Sequence, residues 1–339
     1  MEVSLNIRPN QEFLNRFPVG AFLQSRFWSR VLTLQGIKNW QLNVVRHQEV
    51  VAHCLLYSHK LPFGKSYLYA PKGPLINLSE PTEVKETFAL ILSQIRDITI
   101  ATEKRQEIFC RLEPNIAPPP LDIPWQATTN IQPTTTLIID LEQSTENIFA
   151  QFKEKARYNI RVAEKKNLTV EWGHDEKALK QFTTLTKKTS LRHRIKSHES
   201  QHYRAILEAS GDDGITRIAW ITYNNKPIAA HLYIFFGSTV TYLHGAMDYR
   251  QRNLMAPYVL HWQAIQQAKQ EGFKYYDMWG LAPADGSKPS WEGFSRFKRG
   301  FGGQELVAPG AFDFIYIPTW YNVYSQLRNF KSTVRNLRP

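Results

Sequence analysis

Lys298 and Arg299 lie between Phe297 and Phe301 in the stretch FSRFKRGFGG. A lysine flanked by aromatic rings can be held away from water and aimed at negative charge that develops during a reaction. Gly300, Gly302 and Gly303 let the backbone approach a ligand closely. The competing reading of this stretch is a basic hairpin loop. A second group is periodic. Lys153, Arg157, Arg161 and Lys165 recur every four residues, which stacks them on one face of a helix expected from Ser144 to about Lys166. Phe152, Ala156, Ile160 and Ala163 form the apolar stripe beside them. Like charges at this spacing repel by about 0.3 kcal/mol per pair, and Glu154 and Glu164 relieve only part of that. A ridge that repels itself fits a phosphate or RNA partner, with a solvated helix face as the plain alternative.

The elements that must position these groups alternate between helix and strand. Helices are expected over 22–34, with Phe22, Phe27 and Val31 on one side, and over 81–101, with Val84, Phe88, Ile91 and Ile95 at helical spacing. Strands are expected over 42–57 (as a pair), 66–70, 107–112 and 137–141. Ser144 reads as an N-cap with Glu146 in the first turn, and Asn167 as the cap at the far end of that helix. Beyond it come a strand over 168–172, helices over 176–188 and 200–209, a hairpin of 215–223 with 227–236 and a strand over 239–245. A helix opened by Pro257 and closed by Gly272 follows, then a strand over 273–279 and a basic, aromatic helix over about 318–337. The two halves repeat this order without repeating residues. The expected fold class is α+β in α/β layers, cut into 1–143, 144–317 and a C-terminal helix, 318–339.

The loop before Pro257 is the third place where chemistry is legible. In acyl-CoA-dependent N-acyltransferases a Q/R-x-x-G-x-G/A loop here holds a pyrophosphate on backbone N–H groups and a helix N-terminus. The register gives Gln251-Arg252-Asn253-Leu254-Met255-Ala256. Leu254 replaces the first glycine, and its branched side chain obstructs close approach of a phosphate. The loop reads as one that has lost a coenzyme A site, and an ordinary loop before a helix is the alternative.

Composition bounds the rest. The 339 residues carry a net charge of +12 with 13 % aromatic residues, a globular composition that suits a polyanionic partner. The longest apolar run, Pro227 to Gly237, is interrupted by His231 and is shorter than the about 20 residues that span a bilayer. No signal peptide is visible, and Cys54 and Cys110 read as buried apolar filler. A reducing cytoplasm is the expected compartment. Neither a nucleophile elbow nor a P-loop is found. His193 and His198 lie among basic residues and read as surface groups, so no metal and no other cofactor is expected.

Taken together, these stretches resemble the FemABX family of peptidoglycan peptidyltransferases. The strongest matches are FKEKARYNIRVAEKKNLTV, NLMAPYVLHWQAIQQAKQEGFKYYDMWG and FSRFKRGFGG, with FLQSRFWSRV, YAPKGP and CRLEP as weaker ones, in family order from residue 22 to the C-terminus. The resemblance implies two tandem GNAT-like (acyl-CoA N-acyltransferase-like) domains, with the C-terminal helix returning to the first. It implies transfer of an amino acid from an aminoacyl-tRNA to an amine on the stem peptide of a peptidoglycan precursor, either UDP-linked or lipid-linked (lipid II). Lys298, with Phe297, then matches the family's FK motif and serves the oxyanion, a terminal phosphate or the tRNA 3′ end. Glu113, in Arg111-Leu112-Glu113-Pro114, stands where the family carries an aspartate before proline. Arg192, in Thr189-Ser190-Leu191-Arg192, matches a diphosphate-binding arginine, and Tyr242 a strand tyrosine lining the acceptor cleft. Arg30 and Tyr258 complete the substrate-binding set, and Lys153, Arg157, Arg161, Lys165 and Arg299 the tRNA- or phosphate-binding set. A long helical hairpin found in some members has no room between Leu168 and Thr216, and the Lys153–Lys165 ridge is its expected substitute. A monomer is expected, with peripheral membrane contact through Tyr321, Tyr324, Leu327, Phe330 and the basic residues Arg328, Lys331, Arg335 and Arg338 as a second expectation. Two other readings stay open: N-acyl transfer with another donor or acceptor, and a basic RNA- or membrane-binding module.

Overall fold

The computed structural model describes residues 1–5, 11–101, 106–166, 168–193 and 198–336. Asn167 and Arg338 lie outside these, as do the side chains of His193, Phe330, Lys331 and Arg335. In chain order the elements are β1 (Glu2–Leu5), α1 (Gln11–Leu14), α2 (Arg26–Leu34), β2 (Asn39–Arg46), β3 (Glu49–Lys60), β4 (Ser66–Ala70), β5 (Leu75–Ile76), α3 (Pro81–Ala101), β6 (Glu107–Leu112) and β7 (Trp125–Thr128). There follow β8 (Thr135–Asp140), α4 (Thr145–Gln151), α5 (Glu154–Glu164), β9 (Val170–Gly173), α6 (Glu176–His193), α7 (Ser200–Ser210), β10 (Thr216–Tyr223), β11 (Lys226–Phe236) and β12 (Thr239–Met247). The chain ends with α8 (Ala256–Gln270), β13 (Tyr275–Gly280), α9 (Glu292–Lys298), β14 (Gln304–Val307), β15 (Ala311–Ile315) and α10 (Pro318–Asn336).

Two compact units result: residues 1–10, 37–132 and 308–339 form the first, and residues 11–36 and 133–307 the second. Each holds one mixed sheet, so the α+β class holds. The first sheet runs β1-β2-β3-β4-β6-β15-β7, with β5 beside β3, and the second runs β14-β8-β13-β12-β11-β10-β9. Each sheet contains a single parallel pair among the described residues, β4 with β6 and β12 with β13, and in each a helix (α3 or α8) makes the crossover. This shared β-α-β crossover is the structural content of the repeating pattern.

The units depart from the expected boundaries at both ends. Phe22, Phe27 and Val31 join the core of the second unit, beside Phe182 and Ile206, because their apolar face has partners there. β15 pairs antiparallel with β6 and β7, so the chain rejoins the first sheet before α10 rather than at it. In that unit the Arg111 guanidinium and the Asp313 carboxylate form a buried pair at 2.7 Å, and the Tyr321 hydroxyl donates to the same carboxylate at 2.7 Å. Tyr321 of α10 also packs edge-on against Phe109, which uses part of the aromatic face assigned to a membrane. No helix among the described residues is long and apolar enough to cross a membrane.

The helix expected from Ser144 is two helices. Ser144 does cap the first, accepting from the Asn147 N–H, but Phe152 and Lys153 are extended, with ψ of 141° and 148°. The break buries Phe152 and turns the Lys153 N–H to the Gly300 carbonyl at 2.8 Å. Lys153 therefore precedes α5 and Lys165 follows it, leaving Arg157 and Arg161 as the ridge on the helix itself. Ala156, Ile160 and Ala163 are buried, as the stripe requires.

Candidate active site

The second sheet opens beside its parallel pair. β12 and β13 pair at Thr239/Tyr275, Val240/Tyr276 and Thr241/Asp277, and both strands then run on without pairing to each other. Opened parallel strands at a crossover are a common place for a ligand site in α/β folds. Tyr242 stands on β12 just past the last pair, and Asp277 ends the pairing on β13. Lys298 reaches the same place from the C-terminal end of α9.

Lys298 is only 8 % exposed. Its Nζ donates to the Gly280 carbonyl at 2.8 Å and lies 5.4 Å from the Tyr242 ring centre and 5.2 Å from that of Phe294. Burial drives its pKa down to about 7, against the opposing pull of Asp277. The lysine is thus shared between amine and ammonium near neutral pH. Such tuning suits a group that must both take and give a proton.

Two devices of the backbone hold this lysine in place. β13 carries a bulge between Asp277 and Gly280, and there Trp279 adopts φ of 59°, a conformation unusual for a bulky residue. Asp277 stabilises the bulge by accepting from the Trp279 N–H at 2.7 Å and from the Thr136 hydroxyl. On the other side, Gly302 and Gly303 have φ of 70° and 84°, and a Cβ on Gly303 would stand 2.5 Å from the Ile138 carbonyl oxygen. The glycines therefore serve close packing of the loop on β8 and the end of α4, rather than approach to a ligand. The lysine stretch is a helix end, not a hairpin.

Behind Lys298 lies a buried layer of histidine and tyrosine that sequence reasoning missed. The His231 Nδ1 is 2.9 Å from the Tyr233 hydroxyl, and the His261 Nδ1 is 2.7 Å from that of Tyr276. The His231 and His261 rings each pack on Tyr242, with centres 4.6 and 4.5 Å away. Burial and the nearby Lys298 charge hold both imidazoles neutral, His231 down to about 3. The His261 Nε2 is buried without a hydrogen-bond partner among the described residues. One signal for this layer was in the sequence: His231 is the polar interruption of the longest apolar run. Phe297 and Tyr258 meet edge-on at 4.8 Å and wall the layer, with Phe297 also against His261 at 5.5 Å.

The sequence model of the FemAB family matches residues 8–117, 123–226 and 222–329. The chain belongs to the FemAB family. Among curated relatives, the lipid II:glycine glycyltransferase of Staphylococcus saprophyticus is 18 % identical over 96 % of this chain and 96 % of its own length. That of Staphylococcus haemolyticus is 21 % identical over 94 % of each. The solved structure of FemX covers 95 % of this chain and 99 % of its own, with a TM-score of 0.78 and 17 % identity, and so shares the fold.

The remaining residues expected from the FemAB resemblance fall in different settings. Glu113 belongs to the first unit and is buried, with both oxygens engaged: Oε2 accepts from the Tyr69 hydroxyl at 2.7 Å, and Oε1 from the Ile131 and Gln132 N–H groups at 2.8 and 3.0 Å. Through these bonds it holds the 131–132 backbone in place. Arg299 is paired with Glu305 at 2.7 Å and Glu292 at 3.8 Å. A phosphate would have to compete with both carboxylates. Arg192 is exposed on α6 and stacks on the Tyr249 ring at 3.8 Å. Arg30 is exposed on α2, beside Gly211. Arg157 donates to the Ala150 carbonyl at 3.0 Å and to that of Phe152, closing the end of α4, whereas Arg161 is exposed over Phe149. Lys153 and Lys165 are exposed. In the FemAB-family loop before α8, Leu254 and Met255 pack against the core rather than leaving the backbone open.

Proposed function

We propose that this chain transfers an amino acid from an aminoacyl-tRNA ester to an amine on the stem peptide of a peptidoglycan precursor. The observation that carries the reading is the buried, half-neutral Lys298 beside Tyr242 where β12 and β13 part. Family membership and the names of the curated relatives supply the substrate class.

In this reading the acceptor amine attacks the ester carbonyl. A C–N bond forms and the carbonyl electron pair moves onto oxygen. The intermediate then collapses, the bond to the tRNA 3′ oxygen breaks and that oxygen leaves as a hydroxyl. The proton lost by the amine must reach the leaving oxygen. Lys298 as the free amine accepts it, and as the ammonium it stabilises the oxyanion and returns the proton. Tyr242 lines the acceptor side, and Phe297 and Tyr258 exclude water. Arg161, Lys153 and Lys165 meet the tRNA phosphates, with Arg157 contributing from its place at the α4 end. Arg192 and Arg30 serve the precursor's diphosphate. The chain works as a monomer in the cytoplasm, against the inner face of the membrane when the acceptor is lipid-linked.

The test incubates the purified protein with UDP-linked muramyl-pentapeptide, then with its lipid-linked form, and a pool of labelled aminoacyl-tRNAs. A mass gain of one amino-acid residue on the muropeptide is expected. No gain with either acceptor would overturn the reading. Flotation with anionic liposomes reports on the membrane contact separately.

A further inference from the structure

A bulge between Leu232 and Tyr233 of β11 makes Leu243 the extra residue of β12, since Tyr233 pairs with Tyr242 and Leu232 with His244. Tyr242 and His244 therefore point to opposite faces of the sheet. Tyr242 joins the layer behind Lys298. His244 joins the side covered by α2, α6 and α7, where two more histidines meet it.

His198 and His202 flank the start of α7 and are four residues apart, with rings stacked at 4.3 Å. The His198 ring centre is 5.7 Å from that of His244. One ring nitrogen from each of the three lies within 4.8 Å of the others. The run His198-Glu199-Ser200-Gln201-His202 has the letters H-E-x-x-H. Because α7 begins only at Ser200, the run is not the all-helical motif of zinc peptidases, and the third histidine comes from a strand.

We propose that His198, His202 and His244 form a binding site for a borderline divalent transition-metal ion such as Zn²⁺, clamping the start of α7 to β12. Three imidazoles are a common donor set for this class of ion and leave one position for water. A second residue orients the set. Gln35 Nε2 donates to the Val31 carbonyl at 3.1 Å, which turns its Oε1 toward His202 Nδ1 at 3.2 Å. His202 must then donate from Nδ1 and keep its lone pair on Nε2, the arrangement that a partner behind a metal-binding histidine imposes. Tetrahedral coordination at about 2.1 Å places ligand nitrogens about 3.4 Å apart, so the rings close inward by up to about 1.4 Å. His198, which is exposed, has the room to do so.

The test titrates the untagged, metal-free full chain with ZnCl₂ by calorimetry and with CoCl₂ by visible absorption. One saturable equivalent of Zn²⁺, a tetrahedral Co²⁺ band and a raised melting temperature are expected. His198→Ala and His244→Ala each weaken binding by about 100-fold or more, and Gln35→Leu by about 10-fold, with recovery in Gln35→Glu. His198 is exposed, so its variant keeps the metal-free melting temperature and decides the matter if His244→Ala fails to fold. No saturable binding, or binding unchanged in His198→Ala, overturns the proposal.

Discussion

Lys298 Nζ donates to the carbonyl oxygen of Gly280 at 2.8 Å, at the end of the strand that also carries Asp277. The bond tethers a lysine that burial has brought to a pKa of about 7. It also makes the β13 bulge, with Trp279 at positive φ, part of the site's geometry rather than an irregularity beside it.

Replacing that lysine separates activity from folding. Lys298→Met keeps the stem and removes the amine. Turnover in the transfer assay is expected to fall by about 10²- to 10⁴-fold. The same variant changes how stability depends on pH. The folded lysine titrates near 7 and the unfolded one near 10.5, so the unfolded chain binds the extra proton between these values. Wild-type stability should therefore rise with pH from about 7 toward 10.5 and carry the full cost of a buried ammonium below 7. Lys298→Met should lose this slope in urea unfolding measured across that window. A wild-type slope of opposite sign would refute the assignment.

The rate itself should report the same group. If the amine form accepts the proton, kcat/KM rises through an apparent pKa near 7. Asp277 pulls that value up, so Asp277→Asn should move the rising limb to lower pH. A limb that stays in place would remove Asp277 from the site's electrostatics.

The loop glycines should be intolerant for reasons of packing. Gly303→Ala faces a carbonyl oxygen 2.5 Å from the new Cβ and a φ of 84°, so it should cost about 3 kcal/mol or more. Gly286→Ala, at φ of 70° with open space around it, should cost only about 1 kcal/mol. Thermal unfolding of the two variants side by side checks the contrast.

The basic ridge should divide by residue. Arg161→Glu is expected to raise KM for aminoacyl-tRNA and flatten its salt dependence with little effect on melting. Arg157→Glu should lower the melting temperature as well, because Arg157 holds the Ala150 and Phe152 carbonyls. An unchanged salt dependence in both variants would dismiss the ridge as a tRNA contact.

In the first unit, Asp313→Ala leaves Arg111 buried without its partner and the Tyr321 hydroxyl without its acceptor. A loss of about 3–5 kcal/mol is expected in urea unfolding. Replacing both Arg111 and Asp313 with apolar residues of similar volume should recover part of it.

Sequence alone determined most of the local elements and singled out Lys298, Phe297 and Tyr242. α3 follows directly from Val84, Phe88, Ile91 and Ile95, and the N-cap at Ser144 from its hydroxyl, because helical periodicity and capping act within a few residues. The Phe-Lys pair at 297–298 was legible from the aromatic residues that flank the lysine in sequence and from its match to a family motif. Tertiary structure decided what depends on distant partners. The break at Phe152–Lys153 exists because a core takes the ring and Gly300 takes the N–H. β15 joins the first sheet because β6 and β7 present open edges to it. The assembly of His231, His261 and Tyr242 behind Lys298, and the division of Tyr242 from His244, rest on a crossover and a one-residue bulge. Strand side chains alternate with period two, so a single extra residue reverses the face of everything beyond it, and no local pattern records on which strand that residue falls.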